Sequence, residues 1–196
     1  MVTDHLVPPD IAELYEVHEW RNAVGVLSTA CIVEWNEIQA ALRAFKLLRS
    51  EIVAPGRNRS DLVKRLEGPL KAAGWVEKKF ETAIVVDGEN RNSPTHSVDC
   101  FKGRVALEVE WNNKDPFYDR DLNNFRLLFD LQVIDVGVII TRSSELQSIF
   151  NDLQKGTSYG NSTTHMGKLL PRLQGGSGGG CPIVAFAIRP ELYVED

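Results

Sequence analysis

The chain has 196 residues, 43% of them hydrophobic and 25% charged. That is enough apolar material for one core, which sets aside a disordered or collagen-like polymer and leads us to expect a single domain over residues 1–196. A net charge of −5 excludes a uniformly basic nucleic-acid binder, and no apolar run approaches the ~20 residues that cross a bilayer. The start, Met1-Val2-Thr3-Asp4-His5, lacks the basic and apolar blocks of a secretory signal. Cys31, Cys100 and Cys181 are too scattered for a disulfide framework or a four-ligand zinc site, so a cytoplasmic protein with no membrane partner is expected.

In chain order, residues 11–29 are ambiguous. Alternation through Leu14–His18 allows a strand, and 24–29 allow a second short one. Residues 31–49 place Ile32, Trp35, Ile38, Leu42, Phe45 and Leu48 at helical spacing, with basic residues at the C-terminal end where they suit the helix dipole. After Pro55-Gly56, a second helix is predicted from Ser60-Asp61 to about Ala73, with Gly74 as its stop. This part of the chain is basic: residues 42–79 carry ten Lys/Arg against four Asp/Glu, whereas residues 1–41 carry one against seven. Such a patch can meet a polyanion, although a solvated helix face carries the same charges.

Residues 76–86 read as a strand and 87–97 as a polar loop. Residues 104–111 (RVALEVEW) are the clearest strand in the chain. A helix is predicted over 119–131, capped from the Asp119/Asp121 end, with an apolar face of Leu122, Phe125, Leu128 and Phe129. Residues 133–140 (VIDVGVII) are apolar and β-branched, the pattern of a strand buried on both faces. Ser143–Leu153 suits a short helix, 155–180 is a polar, Gly-rich excursion, and 182–189 is a last apolar strand. The order predicts an α/β fold, a mixed central sheet flanked by helices.

Along 104–111, Val105, Leu107, Val109 and Trp111 share one face, and Arg104, Ala106, Glu108 and Glu110 the other. The two glutamates lie about 6.5–7 Å apart at Cα, and Asp99, at the turn feeding the strand, can approach them. Like charges this close raise one another's pKa unless a cation lies between them, and oxygen ligands point to Mg²⁺. An exposed amphipathic strand alternates in the same way, but a strand beside the buried 133–140 has no such excuse.

Asp99, eight intervening residues, then Glu108-Val109-Glu110, on a strand followed by a helix and IDVGVII, resembles the PD-(D/E)XK nuclease (restriction-endonuclease-like) core. More narrowly it resembles type II restriction endonucleases of the BglII/BstYI group, through VDCFKGRVALEVEW, KGTSYG and PIVAFAIRP. The helix CIVEWNEIQ and the GPLKAAGW segment resemble that group more loosely. The resemblance implies that Asp99 and Glu108 are ligands of Mg²⁺ beside a scissile phosphate and that Glu110 stands at the third catalytic position. Val98 replaces the proline of the superfamily motif. Glu110 replaces the usual Lys, or the Gln of the nearest relatives, and leaves its role open between general base, second metal ligand and water-orienting group. Metal ions of this kind supply an activated water and charge neutralisation at phosphorus.

Glu37, after Trp35-Asn36, is a weaker candidate ligand from outside the sheet. Lys102 and Lys114 flank the strand. The histidines, His5, His18, His96 and His165, lack zinc spacing, and GGSGGG at 175–180 is not a phosphate-binding loop; flexibility is its simplest meaning. Candidate DNA contacts fall in three patches: Asn112, Asn113, Lys114 and Arg120 beyond the acidic strand; Arg57 and Arg59 in the basic segment; and Thr157, Ser158, Tyr159 and Asn161 in the Gly-rich excursion near 155–180, expected to face DNA. The leading expectation is a Mg²⁺-dependent restriction endonuclease acting as a homodimer on double-stranded DNA at a short palindrome, with a GATC centre implied by the resemblance. The alternatives are a repair or structure-specific nuclease on the same core and a non-catalytic nucleic-acid-binding or interaction module.

Overall fold

The computed structural model describes residues 4–54, 61–92 and 95–196. In chain order they form α1 (Pro9–Leu14), β1 (Tyr15–Trp20), α2 (Ala23–Ala30), α3 (Ile32–Ala44), β2 (Leu47–Leu48), α4 (Arg49–Val53), α5 (Asp61–Ala72), β3 (Val76–Lys78), β4 (Ala83–Val86) and β5 (Glu89–Asn92). There follow β6 (Val98–Lys102), β7 (Val105–Val109), α6 (Phe117–Asp130), β8 (Val136–Arg142), α7 (Gln147–Asp152), α8 (Met166–Gln174), β9 (Ile183–Ile188) and β10 (Tyr193–Val194).

A six-stranded sheet runs in the order β1-β9-β8-β7-β6-β3. It is mixed, as expected: β7, β8 and β9 are parallel, while β1, β6 and β3 join antiparallel. The parallel centre follows from the crossovers, since α6 links β7 to β8 and α7 and α8 intervene before β9. Its strands are buried on both faces, which is why their sequences are nearly continuous apolar runs.

The alternation in β7 divides the core into two layers. Val105, Leu107 and Val109 pack with α2, α3 and α5 through Leu27, Trp35, Ile38, Leu42 and Leu66. Ala106 faces the other layer, with Leu122, Phe125 and Leu128 of α6 and Met166, Leu169 and Leu173 of α8. Glu108 and Glu110 share the parity of Ala106, so the strand aims both acids toward α6.

Several local readings change, the helix expected over 31–49 among them: α3 ends at Ala44 and β2 follows. Residues 24–29 are helical, because Arg21 and Asn22 both take positive φ (57° and 56°) and turn the chain out of β1, leaving Ala23, Val24 and Leu27 buried at helical spacing. The stretch 76–86 is two elements: β3 holds the sheet edge, and β4 pairs with β5 across Asp87-Gly88, which the sequence places in a polar loop. Between them Phe80 turns inward onto Phe101, edge to face at 5.1 Å, and its carbonyl accepts the Thr95 hydroxyl. The 155–180 excursion contains α8, whose buried Met166, Leu169 and Leu173 recur at helical spacing. Gly178, Gly179 and Gly180 are packed rather than a flexible tether. A Cβ on Gly178 would lie 2.4 Å from Ile183, and Gly179 sits at φ +59° with Arg126 against it while its carbonyl accepts Trp20 Nε1 (3.3 Å) and Arg21 Nε (3.0 Å).

Candidate active site

The antiparallel register Cys100–Leu107 carries Asp99 to a place opposite Glu108. The two are laced together: the Asp99 N–H donates to Glu108 Oε2 (3.2 Å), and the Val109 N–H donates to Asp99 Oδ2 (3.1 Å). Glu108 is only 1% exposed, and its Oε1 has no hydrogen-bond partner among the described residues. Burial, then the negative charges of Asp121 and Asp99, push its carboxyl well above the usual range.

Glu110 lies one residue past β7, but its N–H still bonds the Ile140 carbonyl at 2.9 Å, so the neighbouring strand holds it in place. Asn113 Nδ2 donates to its Oε2 (2.9 Å), and Arg120 Nη2 stands 3.4 Å from its Oε1. Burial and the nearby Asp121 push its pKa up to about 9. A shared Thr141 hydroxyl, bonded to the Glu110 carbonyl (2.9 Å) and the Tyr118 hydroxyl (2.7 Å), stiffens the same point.

Asp121 is the residue that sequence reasoning missed. It does not cap α6, which begins at Phe117; it lies inside the helix, fully buried and facing the glutamates. Arg120 donates Nε (2.9 Å) and Nη2 (2.8 Å) to its Oδ1, and Oδ2 has no partner among the described residues. Its own carboxyl is raised by burial, against the opposing pull of Glu110 and Arg120. A carboxylate one turn from Tyr118 and Phe125, on the buried stripe of a helix, was the available signal.

Asp99, Glu108 and Glu110 therefore stand together with Asn113, Arg120 and Asp121. Glu37 does not join them. It sits on α3 in the opposite layer, where Trp75 Nε1 (2.8 Å) and Lys102 Nζ (2.5 Å) donate to it; the helix spacing that buries Trp35 and Ile38 commits its neighbour to that side, and Lys102 is taken up there too. Asn112 (φ 56°) and Lys114 border the acids, and Lys114 bridges to Thr163, which brings the second loop patch to the first. Thr157, Ser158 and Asn161 are exposed on that loop. Tyr159 is not available to read bases: it is 7% exposed, stacked on Phe150 at 4.1 Å and packed edge-on against Trp111. Arg57 and Arg59 lie outside the described residues. His96 is near the acids, its pKa lowered by burial and by Arg120.

Among the described residues no group of three or more His, Cys, Asp and Glu side chains stands ready as a metal ligand set. A hard cation such as Mg²⁺ needs less, because it keeps several waters and takes one or two carboxylates plus substrate phosphate. The orphaned Glu108 oxygen, among carboxyls whose charges repel, is the chemistry such an ion neutralises. Asp99 and Glu108 fit.

A mixed sheet flanked by helices, with carboxyls gathered where its parallel and antiparallel parts meet, is consistent with a restriction-endonuclease-like fold. The family model described as restriction endonuclease BglII/BglIII matches residues 15–188, which run from the first residue of β1 to the last of β9. The chain belongs to this family. No curated protein matches it.

Proposed function

We propose that the protein is a Mg²⁺-dependent type II restriction endonuclease that acts as a homodimer on a short palindrome, GATC-centred by family likeness. The observation that carries the catalytic part is the lacing of Asp99 to Glu108 across β6 and β7 with one glutamate oxygen left unpartnered. These two carboxyls hold the cation. When bound, it supplies an activated water and charge neutralisation at the attacked phosphate.

The chain's own groups do the rest. Asn113 and Arg120 grip opposite oxygens of Glu110, so its carboxyl has a fixed direction; this favours the water-orienting role among those open at the third position. Arg120, itself held by Asp121 and one-third exposed, faces the phosphate. Lys114, Asn112 and the exposed loop residues Thr157, Ser158 and Asn161 contact the duplex, and two-fold symmetry lets each subunit read a half-site and cut one strand.

Incubation of plasmid with the purified chain and Mg²⁺ tests this. Discrete fragments whose sequenced ends share a palindrome are expected. Smearing, or cutting confined to branched substrates, would instead mean a structure-specific nuclease, and no cleavage would overturn the enzymatic reading.

A further inference from the structure

Thr164 is fully buried in the loop that precedes α8, and nothing in the site above uses it. Its hydroxyl oxygen accepts the Asn113 N–H at 3.1 Å, and its own N–H donates to the Asn113 carbonyl at 2.8 Å. Two residues 51 positions apart thus close a reciprocal clamp. Asn113 is the residue whose side chain donates to Glu110.

On the other side, the loop is rooted in the core. Arg142 is 1% exposed and donates Nη2 to the Tyr159 carbonyl (2.8 Å) and the Thr163 hydroxyl (3.0 Å), with its guanidinium over the Phe150 ring. The Asp115 N–H donates to the Ser162 carbonyl (3.1 Å). Segments 113–115 and 162–164 are therefore fastened to each other. The exposed loop residues Ser158 and Asn161 lead into the outer end of this unit, and its inner end grips Glu110.

We propose that Thr164 is a positioning residue that ties Glu110 to the 155–164 loop, so that the seating of this loop on DNA sets the direction of the Glu110 carboxyl. The proposal rests on the nuclease reading above. A buried hydroxyl is costly unless bonded, and a loop needing only to be fastened already has Arg142. The additional clamp falls on the backbone of Asn113, whose side chain shares the holding of Glu110 with Arg120. Catalytic groups must be held within about 0.5 Å of productive geometry.

The test compares wild type, Thr164→Val and Thr164→Ser on a duplex carrying the sequence found at the cleaved ends. Valine keeps the branched shape and removes the acceptor; serine restores it. Thr164→Val should lose roughly 10–100-fold in single-turnover cleavage, the range seen when groups that orient a metal site are removed. Its affinity for the duplex without metal should change little, and serine should recover most of the rate. The backbone amide of Asn113 in the wild-type chain should exchange with solvent more slowly than its neighbours. A folded valine variant that cuts like wild type overturns the proposal, as does loss of rate in both variants alike or an unprotected Asn113 amide. A wild-type chain that cuts nothing overturns the nuclease reading and this one with it, whereas an unprotected amide in an active wild type removes only the clamp.

Discussion

Glu108, Glu110 and Asp121 are buried carboxyls pressed against one another, and crowding of that kind shows in the pH dependence of stability. The Glu110 carboxyl is raised to about 9 from an ordinary value of 4.5, so the folded chain keeps a proton that the unfolded chain has lost. Its contribution to stability is complete below about pH 4.5 and disappears as pH rises through 9. One proton's difference slopes stability by ~1.4 kcal/mol per pH unit. The melting temperature of the metal-free protein should fall from pH 5 to pH 9, and Glu110→Gln should flatten that fall; a wild-type profile rising across the window would contradict the crowding. Mg²⁺ at pH 8 should raise the melting temperature, because an ion bound only to the folded form stabilises it by mass action. Glu108→Ala should abolish cleavage with the fold retained, and activity near wild type would remove Glu108 as a ligand. Glu110→Ala should lose about 10²-fold, the cost of a misplaced reacting group, read by single-turnover rates. The alternation of Val105–Val109 made Glu108 and Glu110 legible in the sequence, and a nine-residue reach made Asp99 legible. Asp121 was hidden because an aspartate near a helix start reads as a cap; only its phase relative to Phe125 separates the two roles.

Elements carry these residues into place, and the join of β8 to α6 is a close one. Gly137 in β8 lies so close to α6 that a Cβ there would meet Phe125 Cδ2 at 2.4 Å. Gly137→Ala should push α6 outward at a cost of ~1–3 kcal/mol, the usual range for overpacking, seen as a lower urea midpoint. Because α6 bears Arg120 and Asp121, the same variant should also lose cleavage rate, although it touches no acid. Unchanged rate with lowered stability would mean that the site does not depend on the seating of α6. The strands β7, β8 and β9 were legible because burial on both faces demands apolar, β-branched runs. The β4–β5 hairpin was not, since β-propensity runs on from Val76 through Val86 and cannot say that the pairing partner changes midway. The helix α8 was obscured by glycines on both sides of it, of which Gly178 and Gly179 serve close packing against Ile183 and Arg126.

Across the whole molecule the charges are sorted. Four cations of the basic segment are met by acids on the α3 and α5 side: Arg43 pairs with Asp10, Lys64 with Asp61, Arg65 with Glu51 and Lys71 with Glu67. The buried acids of the site, meanwhile, present little charge to solvent. Near those acids Lys114 is exposed and Arg120 half-buried, and the half-buried Lys168 is only loosely paired with Asp115 at 3.9 Å. An acidic protein arranged this way still binds a polyanion, because counterion release depends on local phosphate neutralisation rather than on net charge. DNA affinity measured without Mg²⁺ should therefore fall linearly on a log–log plot against salt, with a slope of about 0.9 per neutralised phosphate. Lys114→Ala should lower that slope by about 1 per subunit, hence about 2 if two subunits share one duplex, while Arg65→Ala should leave it unchanged. Charge reversal at Arg57 and Arg59 tests the remaining patch in the same assay. A slope insensitive to Lys114 but reduced by Arg65→Ala would place the duplex on the α3–α5 side, away from Glu108, and would separate the binding surface from the site proposed to cut.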